Sequence, residues 1–134
     1  MKCFAVSLVA SALVLASCSG GTGSEGTVID TTLSNTSINL SASTVESGTI
    51  TFAVTNDGDQ VHEIEVFSGS ETVLPVEKNV ANVSGLTLID EIEDILPGGN
   101  VRLTLELPAG DYIIICNLPG HYEMGMVTKL VVTG

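Results

Sequence analysis

The chain contains no tryptophan and only five other aromatic residues, two Tyr and three Phe. It therefore lacks the aromatic platform on which sugars or bases stack. Histidine is nearly as scarce. Two imidazoles are too few for a multi-metal oxidase, or for a hydrolase that needs several as ligands and general bases. Basic residues are also few: four Lys and Arg stand against sixteen Asp and Glu, a formal net charge of −12. Such a surface cannot neutralise a phosphate backbone, which argues against nucleic acid as a partner. Acidic chains do dock on basic proteins through steered encounters, although a merely soluble face has the same composition. What is present suits one domain: 134 residues, 44% hydrophobic and 15% charged, enough to bury a core.

The first residues read as a targeting segment. Met1 and Lys2 precede an apolar run from Phe4 to Ala16, broken only by Ser7 and Ser11, which is the layout of a signal peptide. The run is short for a bilayer, and no other stretch reaches about 18 apolar residues. Leu15-Ala16-Ser17-Cys18 resembles the bacterial lipobox, in which lipid is attached to the Cys thiol and the chain is cut just before it. That resemblance implies a signal peptide over 1–17 and a lipidated Cys18, hence a lipoprotein of the cell envelope, periplasmic or extracytoplasmic and held to a membrane by its acyl chains. Residues 18–26 then form the lipidated Cys and a Gly/Ser tether, Ser-Gly-Gly-Thr-Gly-Ser-Glu-Gly, and 27–134 the domain. Cys3 leaves with the signal and Cys18 carries lipid, so only Cys116 remains and no internal disulfide can form. A lone thiol in an oxidising compartment is a candidate metal ligand or nucleophile, or else a buried inert Cys.

From Thr27 onward short alternating runs are separated by Gly, Pro, Asn and Asp, the pattern of an all-β, antiparallel sandwich or barrel. Ile50, Phe52 and Val54 share one face, and Asn56-Asp57-Gly58-Asp59 reads as a hairpin turn. In the next strand His62, Ile64 and Val66 share a face and point inward, while Glu63 and Glu65 fall on the opposite, solvent side. Val101, Leu103, Leu105 and Leu107 alternate up to a turn at Pro108-Ala109-Gly110-Asp111. Tyr112 to Cys116 is a continuous apolar run typical of a buried central strand, and Val127 to Thr133 makes the last strand. Residues 27–44 carry no motif that assigns their strands. Residues 68–99 read as strand, helical turn or both, and the acids Asp90, Glu91, Glu93 and Asp94 form a docking patch or, more simply, a solvated face.

The chemistry concentrates in Cys116-Asn117-Leu118-Pro119-Gly120-His121-Tyr122-Glu123-Met124-Gly125-Met126. One loop offers a thiolate, an imidazole and a thioether, and the inward His62 completes a His2Cys set with a weak axial Met, which selects copper. Zinc competes for Cys and His, but its structural sites use close pairs of them and no Met.

These residues resemble the cupredoxin family, specifically the small blue (type 1) copper proteins with a Cys-x4-His-x4-Met loop, such as the sulfocyanin-like, rusticyanin-like and plastocyanin-like members. The resemblance runs over about residues 45–134. It is carried by Asn56-x-Gly58-x3-His62-Glu63, Pro108-x-Gly110-x-Tyr112-x3-Cys116, Pro119-Gly120-His121 and Gly125-Met126. It implies a cupredoxin-like Greek-key β-sandwich of about seven to eight strands holding one copper ion. It further implies that His62 and His121 bind through ring nitrogen, Cys116 binds as thiolate and Met126 lies axial, ahead of Met124 because Met126 follows Gly125 as the family's Met does.

With four protein donors and no spare imidazole, the expected role is electron transfer and not enzyme catalysis. The chain is expected to be a monomer that exchanges electrons with donor and acceptor proteins of the cytochrome or oxidase type. Burial among Ile113, Ile115, Met124 and Val127 is expected to favour the less charged Cu(I) state and raise the potential. Leu118, Pro119 and Met124 would frame an exposed edge of His121 as the electron exit. The alternatives are a copper storage or delivery lipoprotein, disfavoured because no His is spare and only two Met survive signal removal, and a metal-free structural sandwich.

Overall fold

The computed structural model describes residues 26–134, so the expected signal peptide, Cys18 and nearly all of the tether lie outside the described residues. Eleven strands form, and no helix, among the described residues. They are β1 (Thr27–Ser34), β2 (Ser37–Leu40), β3 (Thr44–Glu46), β4 (Gly48–Asn56), β5 (His62–Ser68), β6 (Val76–Glu77), β7 (Val80–Ala81), β8 (Thr87–Ile95), β9 (Asn100–Leu107), β10 (Gly110–Ile115) and β11 (Val127–Thr133). Eight of them have four residues or more, and β3, β6 and β7 are short additions to that set.

Two sheets make the sandwich, one in the order β2-β1-β4-β9 and the other β3-β11-β10-β5-β8; β6 and β7 pair as a separate ribbon. Alternation places Ile29, Leu33, Ile50, Phe52, Val54, Leu103 and Leu107 on the inner face of the first sheet. Ile64, Val66, Tyr112, Ile114, Cys116, Leu130 and Val132 meet them from the second, in one continuous core. Phe52 is fully buried there, and its truncation to Ala is expected to cost about 3–5 kcal/mol.

Three sequence expectations are corrected. Asn56 to Asp59 is not a hairpin, because β4 pairs with β1 and β9 whereas β5 pairs with β10 and β8. The turn carries the chain across the sandwich, so that the apolar faces of β4 and β5 oppose each other instead of lying side by side. Asn56 fixes this crossing: fully buried, its Nδ2 donates to the Gln60 and Ile95 carbonyls, both at 2.8 Å, and its Oδ1 accepts the Gly58 N–H at 2.9 Å. The second crossing, between β9 and β10, is held by the Tyr112 hydroxyl donating to the Pro108 carbonyl at 2.8 Å.

The sandwich is also not wholly antiparallel, since β1 runs parallel to β4 and β3 parallel to β11. Third, β5 is covered on both faces. The segment between β5 and β8 folds over its outer side, where Phe67, Ala81, Ile113, Ile115 and Tyr122 form a second apolar cluster. Glu63 is therefore buried and Glu65 half-buried, not solvent-facing. The undecided stretch 68–99 resolves into this covering segment and β8, whose acids Asp90, Glu91, Glu93 and Asp94 are all exposed, a solvated face.

Candidate metal centre

Three buried side chains meet at one end of the sandwich. Strand parity turns His62, the first residue of β5, into the core, and Cys116 follows β10 on its inner face. His121 comes back from the loop between β10 and β11. The Nδ1 atoms of His62 and His121 lie 3.1 Å apart, and the Cys116 Sγ is 3.4 Å from His121 Nδ1 and 3.9 Å from His62 Nδ1. The rings meet edge to face, with centroids 4.9 Å apart. Among the described residues this is the one group of His, Cys, Asp and Glu whose ligand atoms lie close enough to share an ion.

The loop closes on itself through its backbone. Cys116 N–H donates to the Met126 carbonyl at 3.1 Å, Met126 N–H to the His121 carbonyl at 3.2 Å, and Met124 N–H to the Gly120 carbonyl at 3.1 Å. Gly125 sits at φ 114, and a Cβ there would stand 2.8 Å from the Thr36 carbonyl oxygen, so both conformation and space demand glycine. Met126 is fully buried in the same core as Cys116, whereas Met124 is 44% exposed.

Burial sets the electrostatics. It lowers the His62 pKa, with a smaller contribution from the facing His121, so the imidazole is neutral and its nitrogen lone pair is available. Burial also pushes the Cys116 thiol up. A metal must therefore displace its proton, which makes uptake pH-dependent. Two imidazoles and a thiol in a buried pocket, with a buried thioether in the same core, fit a soft or borderline metal such as copper.

The neighbours of Cys116 differ from expectation. Ile113, Ile115 and Val127 belong to the outer cluster, because alternate residues of β10 face opposite ways, and Met124 is exposed. Cys116 instead belongs to the inner core, together with Ile64, Ile95, Ile114 and Met126.

Sequence reasoning missed the supporting residues. Glu63 Oε1 accepts the Asn117 N–H at 3.0 Å, and its place beside His62 was the only signal in the sequence. Opposite Glu63, β8 bulges: His62 pairs with Ile95 and Ile64 with Ile92, leaving Glu93 and Asp94 against one residue, with Asp94 at φ 55. The bulge turns Ile95 into the core beside His62.

Comparison with known proteins places this arrangement. The Sulfocyanin (SoxE) domain matches residues 47–134, about two thirds of the chain. The chain belongs to the sulfocyanin domain family.

Solved structures share the fold. Dithionite-reduced auracyanin from Roseiflexus castenholzii is 25% identical, with a TM-score of 0.64 over 81% of this chain and 98% of that one. Auracyanin A of Chloroflexus aurantiacus, described as a blue copper protein, is also 25% identical, with a TM-score of 0.58 over 79% and 99%. Rusticyanin from Thiobacillus ferrooxidans shares the fold at 18% identity, with a TM-score of 0.55 over 81% and 79%. Curated protein sequences provide no match. The sulfocyanin domain and these folds identify a cupredoxin of the blue copper kind, and the His-Cys-His group suits its one copper ion.

Proposed function

We propose that this chain is a one-electron carrier with a mononuclear copper site, tethered by lipid on Cys18 at the outer face of a membrane. The observation that carries the reading is the buried convergence of His62 Nδ1, His121 Nδ1 and Cys116 Sγ within 4 Å of one another. Copper, when bound, supplies a Cu(I)/Cu(II) couple that changes by one electron.

The chain's residues have separate tasks. His62 and His121 would offer Nδ1 donors, Cys116 a thiolate and Met126 a thioether. With both histidines committed, the chain has no third imidazole to serve as a base or a second metal site, which supports electron transfer over catalysis. The apolar core keeps water from the donors and favours the less charged reduced state. Asn56, bonded to the Gln60 and Ile95 carbonyls, fixes the turn that leads into His62, and the bulge in β8 sets Ile95 opposite it.

His121 is 9% exposed, and the exposed Pro119 and Met124 sit on its loop. This edge is the electron's route to donor and acceptor proteins. The lipobox supports an envelope location, with the Gly/Ser tether letting the domain reach its partners.

Protein-film voltammetry tests the reading. A reversible one-electron wave that requires copper and Cys116 is expected, and copper that binds and is released to chelators without any reversible wave would instead indicate storage or delivery. For the anchor, Cys18→Ala should shift the protein from the membrane to the soluble fraction; retention at the membrane would refute lipidation there.

A further inference from the structure

The segment between β5 and β8 joins neither sheet of the sandwich, yet it is bonded to the metal loop at three points. Asn117, next to Cys116, accepts the Ala81 N–H on Oδ1 at 2.7 Å and donates Nδ2 to the Ala81 carbonyl at 3.2 Å. Gly120, which precedes His121, donates its N–H to the Asn79 carbonyl at 2.7 Å. Tyr122, which follows His121, accepts the Leu74 N–H on its hydroxyl at 2.8 Å and donates to the Thr72 carbonyl at 2.6 Å. His121 is thus flanked by anchors and Cys116 is followed by one, and every anchor ends in residues 72–81.

The segment is itself held in an unusual shape. β6 and β7 pair Glu77 with Val80, so Lys78 and Asn79 form a two-residue turn with φ values of 53 and 67. Positive φ at both central positions marks a type I′ hairpin. A lysine in that region is costly and persists where its surroundings over-determine it. This turn presents the Asn79 carbonyl to Gly120. Underneath, the Tyr122 ring packs with Phe67, Ala81, Ile113 and Ile115.

We infer that residues 72–81 are an external brace that positions the metal loop, with Tyr122 and Asn117 as its positioning residues. The inference rests on the copper reading above. A loop free to rearrange would have to be ordered again whenever the metal binds or changes charge. A loop pinned on both sides of His121 and beside Cys116 is ordered beforehand, which favours both affinity and fast electron exchange.

Tyr122→Phe keeps the ring and its packing but leaves the Leu74 N–H and the Thr72 carbonyl without their partner. Three quantities are measured: amide hydrogen exchange at Leu74, Ala81 and Gly120 in metal-free protein, copper affinity in both oxidation states, and the thiolate absorption band of the loaded protein. The brace predicts faster exchange at Gly120, whose own bond is untouched. It also predicts about tenfold weaker copper binding, the scale of losing an outer-shell partner, and a shifted band.

If Leu74 exchanges faster while Gly120, affinity and band match the wild type, the segment is only a cover and the inference fails. Should Tyr122→Phe not fold, Asn117→Ala is read in the same way. A wild type without any thiolate band overturns the copper reading instead, and the exchange coupling between Leu74 and Gly120 then decides the brace alone.

Discussion

The Glu63 carboxylate accepts the backbone N–H of Asn117 at 3.0 Å, joining the residue after one histidine to the residue after the cysteine. The bond extends the pairing of β5 with β10 past its last rung, Ile115 opposite Glu65, into the metal loop. Burial raises the Glu63 pKa, the Asn117 N–H partly offsets this, and the acids Glu93, Glu91 and Asp94 add to the rise. A negative charge so placed favours the oxidised metal.

Replacing Glu63 by Gln keeps an acceptor for Asn117 and removes the charge. At alkaline pH the reduction potential should rise by some tens of millivolts, since a unit charge several ångströms away in a partly screened site is worth on the order of 1 kcal/mol. Voltammetry of the two proteins under the same conditions checks this, and a lowered potential would contradict it.

Gly58 lies where a side chain has no room. A Cβ there would run into the Asn35 side chain and stand 2.9 Å from the His62 Nε2. Gly58→Ala should lower the stability of metal-free protein by about 1–3 kcal/mol through overpacking, and it should broaden or shift the thiolate band because His62 is displaced. Unchanged melting and spectrum together would show that the turn adapts freely.

Glu65 makes stability pH-dependent. Its pKa rises from 4.5 to about 7, through burial first and then through Glu63, Glu91 and Glu93, and its Oε2 has no protein partner. The folded state thus binds a proton that the unfolded state releases. This contribution is fully present below pH 4.5 and is lost as pH rises through about 7. Glu65→Gln should match the wild type near pH 4 and be more stable at pH 8 by about 1 kcal/mol after allowance for solvent screening. Thermal melts of metal-free protein at the two pH values check it; an equal difference at both would remove Glu65 as the cause.

The two loop methionines should behave differently. Met124 is 44% exposed and Met126 fully buried. Met126→Gln should lower the potential, because a harder axial donor favours Cu(II). Met124→Ala should leave potential unchanged and stability within about 0.5 kcal/mol. A potential that follows Met124 and ignores Met126 would reverse the axial assignment.

The site was more legible in the sequence than the fold around it. Period-two parity on β5 placed His62 inward, and the spacing of Cys116 and His121 on one loop needed no tertiary information. Sheet membership was hidden: Asn56 to Asp59 signals a turn, but a turn does not say whether the strands it joins pair or oppose each other across a core. Glu63 was misjudged for a related reason. Alternation reports which face a residue occupies, not whether a later segment of the chain covers that face. The bulge at Glu93 and Asp94 left no mark, because both are ordinary exposed acids in the sequence.

The central claim is a copper site built on Cys116, and the visible spectrum tests it most directly. Cu(II) is added to the domain with its tether, residues 19–134, and to its Cys116→Ser variant. The account predicts an intense blue or green thiolate-to-copper band in the first and none in the second. Folded wild-type protein without the band, or a variant that keeps it, would contradict the account.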